Sequence, residues 1–127
     1  MILPFLWVGP SDKGGNGVFT SEDIIAGTVI EISPVLVFSA EERVWLEKTL
    51  LYNYIFEWGE KAAHAAVGLG YISLYNHSYH SNCDYDMDFT YSLMKITTVR
   101  NIRKGEELFI NYNASPDNGK KVWFDAV

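Results

Sequence analysis

The sequence predicts a mainly β domain with a short helical insert, on three observations. Short runs rich in β-branched and aromatic residues, each broken by turn residues, recur along the chain. Only one strong helix-start signal stands out, Ser39-Ala40-Glu41-Glu42, which has the form of a capping box. The third observation is an internal echo: Asp23-Ile24-Ile25-Ala26-Gly27-Thr28-Val29-Ile30 matches Asn101-Ile102-Arg103-Lys104-Gly105-Glu106-Glu107-Leu108 in pattern. Each copy reads as a tight turn, with glycine where φ can be positive, feeding a strand. Two copies do not make a repeat protein, but they imply many short strands joined by turns.

The elements follow in order. Met1 to Val8 reads as a first strand; it lacks a basic n-region and holds only about seven apolar positions, so a secretory signal peptide is not expected. Gly17 to Thr20, Thr28 to Ile32, and Val35 to Phe38 after Pro34 read as further strands. A helix capped by Ser39 is expected to run to about Asn53 and to bury Val44, Leu46, Leu50 and Leu51. Tyr54 to Gly70 is irregular, with Phe56, Trp58 and the run Ala62-Ala63-His64-Ala65-Ala66, and is read as insert or loop; the helical insert as a whole is placed at about residues 40–66. Tyr71 to Leu74, Tyr91 to Val99 and Leu108 to Tyr112 complete the expected strands.

Composition excludes several classes. At 127 residues with 48% apolar residues, the chain is expected to form one domain, residues 1–127, with an ample core. The longest weakly charged run, Ala62 to Ser81, carries Gly68, Gly70, His64, Asn76 and His77, so no span of about 20 apolar residues crosses a membrane. Ten basic and sixteen acidic residues give a formal charge of −6, which disfavours direct nucleic-acid binding and favours a cationic partner. Cys83 is the single cysteine; it excludes an intrachain disulfide framework and points to a reducing, cytoplasm-like compartment.

Four stretches could carry chemistry. Lys13-Gly14-Gly15-Asn16-Gly17-Val18-Phe19 is a glycine-rich loop entering a strand; glycine lets backbone approach a ligand closely, but the Lys-Ser/Thr and following helix of a P-loop are missing. Asn76-His77-Ser78 offers donors and acceptors at a strand end, with a turn stabilised by Asn and Ser, or a glycosylation sequon like Asn113-Ala114-Ser115, as competing readings. His77, His80 and Cys83 are spaced by three, yet no fourth ligand is evident, so no metal is expected, and no orienting partner makes Cys83 a nucleophile. Asp84, Asp86 and Asp88 alternate with Tyr85, Met87 and Phe89. A calcium loop would need glycine where Phe89 stands and glutamate where Lys95 stands; on a strand the alternation instead puts three carboxylates on one face.

Taken in order, Gly15-Asn16-Gly17-Val18-Phe19, then Asn76-His77-Ser78 with Asn82-Cys83, then Gly105-Glu106-Glu107-Leu108 through Asn111-Tyr112, resemble the motifs of SET-domain protein-lysine methyltransferases over almost the whole chain. The resemblance is to a minimal SET domain without pre-SET or cysteine-rich post-SET modules. It implies several small curved sheets with a C-terminal pseudoknot, in which the segment from Glu107 to Tyr112 threads beside Asn76-His77-Ser78. It also implies that S-adenosyl-L-methionine is bound by Gly15, Asn16, Gly17, Asn76, His77 and Tyr112, and released as S-adenosyl-L-homocysteine.

Tyr112 matches the family's catalytic tyrosine. The reaction implied is attack by a neutral lysine amine on a sulfonium methyl. A free lysine has a pKa of about 10.4, and an apolar channel beside a cation would lower it. Alignment supplies much of the acceleration. Family likeness places Tyr85 and Ile110 at the lysine channel; an aliphatic residue two before Tyr112 leaves the number of methyl groups open. Asp84, Asp86 and Asp88 would guide a cationic tail.

The family often carries Arg-Phe-x before Asn-His-Ser, whereas Ser73-Leu74-Tyr75 stands here. With no cysteine tail, a lid formed by residues 113–127 is expected, with Trp123 and Phe124 folding over the cofactor's adenine or the lysine channel; packing of both on the core or on a dimer partner is the competing reading. The implied partner is a basic protein such as a histone tail, and the implied location is cytoplasm, nucleoid or chromatin. So small a domain is also a candidate for homodimerisation to complete its site. The alternative is a non-catalytic SET-like module that binds cofactor or a basic peptide.

Overall fold

The computed structural model describes residues 1–59 and 62–112. The expected lid at residues 113–127, with Trp123 and Phe124, lies outside them. In chain order the elements are β1 (Leu6–Pro10), β2 (Asn16–Thr20), β3 (Val29–Phe38), α1 (Ala40–Leu46), a 3-10 turn (Leu50–Tyr54), β4 (Ile55–Trp58), β5 (His64–Gly68), a second 3-10 turn (Ile72–Leu74), β6 (Asn76–His77), β7 (Cys83–Asp88), β8 (Leu93–Thr98) and β9 (Glu107–Ile110). The strands form two sheets, ordered β1-β2-β9-β6 and β4-β5-β3-β8-β7. Their inward faces share one core, in which Val18, Ile30, Ile72, Tyr75, Met94, Ile96, Leu108 and Ile110 are completely buried.

Polar and glycine signals account for much of this layout. The echoing segments do feed strands, with Gly27 at φ 82° and Gly105 at φ 91°. They also meet: Ile24 and Ile102 form an antiparallel bridge with N–H···O distances of 2.8 and 2.7 Å. Pro34 does not divide two strands as expected, because β3 runs straight through it and changes partner there. Up to Pro34 the strand pairs with β8, and from Val35 onward with β5. A residue without an N–H is tolerated at such a handover.

Several expectations need correction. Pro4 breaks the expected first strand, so β1 begins at Leu6, while residues 1–3 lie against β3 through Leu3 N–H to Ile30 O (3.0 Å) and Ile32 N–H to Met1 O (2.8 Å). The Ser39 capping box is present, with Ser39 Oγ accepting from Glu42 N–H and the Glu42 carboxyl accepting from Ser39 N–H. The helix it starts, however, stops at Leu46 instead of Asn53. Thr49 ends it, its hydroxyl donating to Leu46 O and accepting from Leu51 N–H, which competes with the next helical turn. None of α1 is buried; Val44 is 53% and Leu50 77% exposed.

The latter part of the expected helical insert is a hairpin. Ile55, Phe56 and Trp58 of β4 are buried, as are Ala65 and Ala66 of β5. Alanine favours helix locally, but here the antiparallel ladders to β3 and β4 hold both residues in strand, so tertiary context decides. Tyr71 to Leu74 is a 3-10 turn instead of a strand. It follows Gly70 at φ 59° and is closed by Ser73 Oγ, which accepts from Gly68 N–H (2.8 Å) and donates to Tyr54 O (2.8 Å).

Candidate active site

The site is built where β9 threads between β2 and β6. β9 is antiparallel to β2, with Val18 opposite Leu108, and parallel to β6, with Asn76 opposite Phe109 and His77 opposite Ile110. The two polar stretches thus meet although about thirty residues separate them. Asn82 reinforces the junction: its amide donates to Glu107 O (2.9 Å) and its carbonyl accepts from Phe109 N–H (2.8 Å). One side chain here performs the pairing that a neighbouring strand would supply.

Asn76 and Gly17 both lie against the Glu107 carboxyl group. Asn76 Nδ2 donates to Glu107 Oε2 (2.8 Å) and to Asn16 O (3.1 Å), while Ser11 Oγ donates to Glu107 Oε1 (2.7 Å). A Cβ at residue 17 would lie 2.8 Å from the Glu107 carboxyl carbon and 2.9 Å from Asn76 Nδ2. Any larger residue therefore displaces the Glu107 carboxyl group or the Asn76 amide. Gly15 at φ 62° faces open space, so its backbone is reachable from outside. Beside this junction lies an open cavity of roughly 360 Å³, lined by Pro10, Asp12, Lys13, Phe19, Glu107 and Phe109 among others.

Tyr112 is held at three points. Its N–H donates to His77 Nδ1 (3.1 Å), its hydroxyl donates to Tyr75 O (2.6 Å), and its carbonyl accepts from the Tyr85 hydroxyl (3.1 Å). Phe56 packs edge-on against its ring at 5.7 Å, and the His77 ring lies 5.3 Å away. Burial, followed by the neighbouring Tyr85 and Tyr54 phenols, pushes the Tyr112 hydroxyl well above its ordinary range, so it stays protonated at neutral pH.

His77 is 5% exposed. Because Nδ1 accepts the Tyr112 N–H, the neutral ring carries its proton on Nε2, which is buried and has no hydrogen-bond partner among the described residues. Burial and then the nearby Lys13 cation lower the His77 pKa, which keeps that tautomer in place.

The structure brings Gly15, Asn16, Gly17, Asn76, His77, Tyr85 and Tyr112 into one region. Ile110, two residues before Tyr112 and paired with His77 across β6–β9, is fully buried in the core. Asp84, Asp86 and Asp88 alternate on β7, an edge strand, on the face opposite Tyr85. They therefore line the outside of the sheet instead of facing Tyr112; Asp86 lies 4.0 Å from Lys95. Burial pushes the Cys83 thiol up to about 12, which suppresses the thiolate needed for a metal or for nucleophilic attack. No group of three potential metal-ligating side chains occurs among the described residues. Sequence reasoning missed Phe56, concealed in the irregular insert, and gave Glu107 and Ser11 no role of their own.

Fold and site define a class: a small β domain of curled sheets whose last strand is threaded beside an Asn-His segment and delivers a half-buried tyrosine to it. The chain belongs to the SET domain family, whose model matches residues 15–113. It is 38% identical over 121 residues to a Schizosaccharomyces pombe histone-lysine N-methyltransferase specific for H3 lysine-37, an alignment covering 94% of this chain and 77% of that protein. A crystal structure of a candidate histone methyltransferase from Plasmodium falciparum is similar with a TM-score of 0.67 and 30% identity, over 87% of this chain and 98% of that one. A Chaetomium thermophilum polycomb repressive complex 2 structure gives a TM-score of 0.72 at 24% identity, over 88% of this chain but 15% of that one. That last likeness concerns the fold alone.

Proposed function

We propose that this chain is an S-adenosyl-L-methionine-dependent protein-lysine N-methyltransferase acting on a histone-like or other basic protein. The observation that carries the reading is the three-point anchoring of Tyr112 against His77, Tyr75 and Tyr85 at the threaded β6–β9 junction. The 38% identical relative, named as a histone-lysine N-methyltransferase, supports the same activity and a chromatin location. The formal charge of −6 favours a cationic substrate. No helix among the described residues is long and apolar enough to cross a membrane.

The residues present suit the cofactor. The turn at Gly15 exposes backbone, and the buried Nε2–H of His77 is a donor still to be satisfied. Gly15, Asn16, Gly17, Asn76 and His77 would hold it. When bound, S-adenosyl-L-methionine supplies a methyl group on a cationic sulfonium, which a neutral lysine nitrogen takes to leave S-adenosyl-L-homocysteine. Tyr112 and the Tyr75 carbonyl present a polar pair at the end of an apolar wall made by Phe56 and the Tyr85 ring. That wall excludes water and lowers the lysine pKa, so the amine loses its proton before reaction. The Tyr112 hydroxyl, kept neutral by burial, orients the nitrogen without adding a fixed charge. Asp84, Asp86 and Asp88, on the outer face, would draw a basic tail toward the domain instead of contacting the reacting lysine.

The test is transfer of isotope-labelled methyl to a panel of histones and other basic proteins, with the modified residue mapped by mass spectrometry. Label on a lysine is the expected result. Tight binding of S-adenosyl-L-homocysteine with no label on any protein of the panel, nor on the chain itself, would favour a non-catalytic module.

A further inference from the structure

Glu31 is completely buried in the middle of apolar β3, and nothing in the proposed reaction uses it. Its carboxyl group accepts three hydrogen bonds: Oε1 from the Tyr75 hydroxyl (2.7 Å), and Oε2 from Ser33 Oγ (2.7 Å) and Tyr71 N–H (2.8 Å). Gly70 closes the compartment; a Cβ there would lie 2.6 Å from Ser33 Oγ. Burying such a group is costly unless its hydrogen bonds are made, and here three are.

Tyr75 links this compartment to the active site. Its ring is fully buried and its hydroxyl is bound to Glu31, while its own backbone carbonyl accepts the Tyr112 hydroxyl at 2.6 Å. It immediately precedes Asn76. It also stands within Ser73-Leu74-Tyr75, the stretch in which this sequence departs from the family's usual Arg-Phe-x. Ser73 in turn fixes the 3-10 turn by bonding Gly68 N–H and Tyr54 O.

We propose that Glu31 is a positioning residue that acts through Tyr75, holding the Tyr75 carbonyl at the place where it orients the Tyr112 hydroxyl. The effect on rate rests on the methyltransferase reading; the effect on Tyr112 does not. A fully satisfied buried network is stiff, and a displacement of about 1 Å in a reacting geometry can lower a rate by about 100-fold.

The experiment compares the parent with Tyr75→Phe, Glu31→Gln and the double variant, using two readouts. One is kcat and KM for S-adenosyl-L-methionine. The other is exchange of the Tyr112 hydroxyl proton, followed by the isotope shift at Cζ in 13C-tyrosine-labelled protein and assigned by its absence in Tyr112→Phe. Tyr75→Phe keeps the ring and backbone, so it remains informative even where Glu31→Gln unfolds the chain. The expected result for Tyr75→Phe is a fall in kcat on the order of 10- to 100-fold, an unchanged KM for the cofactor and faster Tyr112 hydroxyl exchange. Adding Glu31→Gln to Tyr75→Phe should then lower kcat no further. Parent-like kcat and exchange in Tyr75→Phe, or losses that multiply in the double variant, would overturn the proposal. A parent that methylates nothing refutes the methyltransferase reading, and hydroxyl exchange alone then decides the positioning role: faster exchange in Tyr75→Phe supports it, and unchanged exchange overturns it.

Discussion

Gly17→Ala tests the packing of the threaded junction through the sign of its effect. Residue 17 is in β2, and its φ is not positive. In open space the substitution would stabilise the chain by about 0.4–1 kcal/mol, because alanine restricts the unfolded state. The new Cβ instead falls 2.8 Å from the Glu107 carboxyl carbon and 2.9 Å from Asn76 Nδ2. The Glu107 side chain would have to swing away from Ser11 and Asn76, giving up hydrogen bonds of 2.7 and 2.8 Å. At about 0.5–1.5 kcal/mol each, two such bonds cost roughly 1–3 kcal/mol, which the unfolded-state gain of about 0.4–1 kcal/mol reduces to a net loss of about 0–2.6 kcal/mol. Urea denaturation at unchanged slope measures it, and calorimetric titration with S-adenosyl-L-homocysteine should show weaker binding. Gly17→Ala combined with Glu107→Ala removes the clash along with the bonds, so the double variant should be about as stable as Glu107→Ala alone. A gain in stability from Gly17→Ala, or losses that simply add, would refute this account of the junction.

Three further outcomes follow from the site. Asn82→Ala leaves Glu107 O and Phe109 N–H without the partner that imitates a strand, and is expected to cost about 1–3 kcal/mol in denaturant melts and to weaken cofactor binding. The lowered His77 pKa means that its protonation opposes the folded site and breaks the Tyr112 N–H···Nδ1 bond. Its contribution is present above about pH 6.5 and is lost as pH falls through the lowered value, so parent stability should decline on acidification more steeply than that of His77→Asn. For Cys83 the sign is opposite: a thiol raised from 9.0 to about 12 contributes stability below pH 9 that fades as pH rises toward 12. Native protein at pH 8 should therefore resist thiol reagents, and Cys83→Ala should flatten the alkaline slope.

The polar motifs were legible in the sequence because each marks a backbone need. Gly27 and Gly105 do adopt positive φ before strands, and the Glu107 to Tyr112 segment does run beside Asn76-His77. The capping box at Ser39 fixes where α1 starts, since it is a local hydrogen-bond pattern. Its end was not legible, because Thr49 terminates it through a side-chain bond that competes with helix. Nor was the β4–β5 hairpin: Ala65 and Ala66 are strand residues because β3 and β4 pair with them on both edges. Acidic residues divide in the same way. Alternation predicts that Asp84, Asp86 and Asp88 share one face of β7, but not which way that face looks. Glu31 offered a signal in retrospect, a lone carboxyl group within Val29-Ile30-Glu31-Ile32, whose partners at residues 71 and 75 only the fold brings near.

The central claim, that Tyr112 at the threaded junction serves lysine methylation, is tested most directly by labelled methyl transfer from S-adenosyl-L-methionine to basic proteins, with Tyr112→Phe run beside the parent. The variant loses one buried hydroxyl and its bond to Tyr75 O while keeping the ring against Phe56 and His77. The expected result is lysine labelling by the parent, its loss in Tyr112→Phe, and similar S-adenosyl-L-homocysteine affinity in both by calorimetry. Full labelling by Tyr112→Phe would contradict the claim.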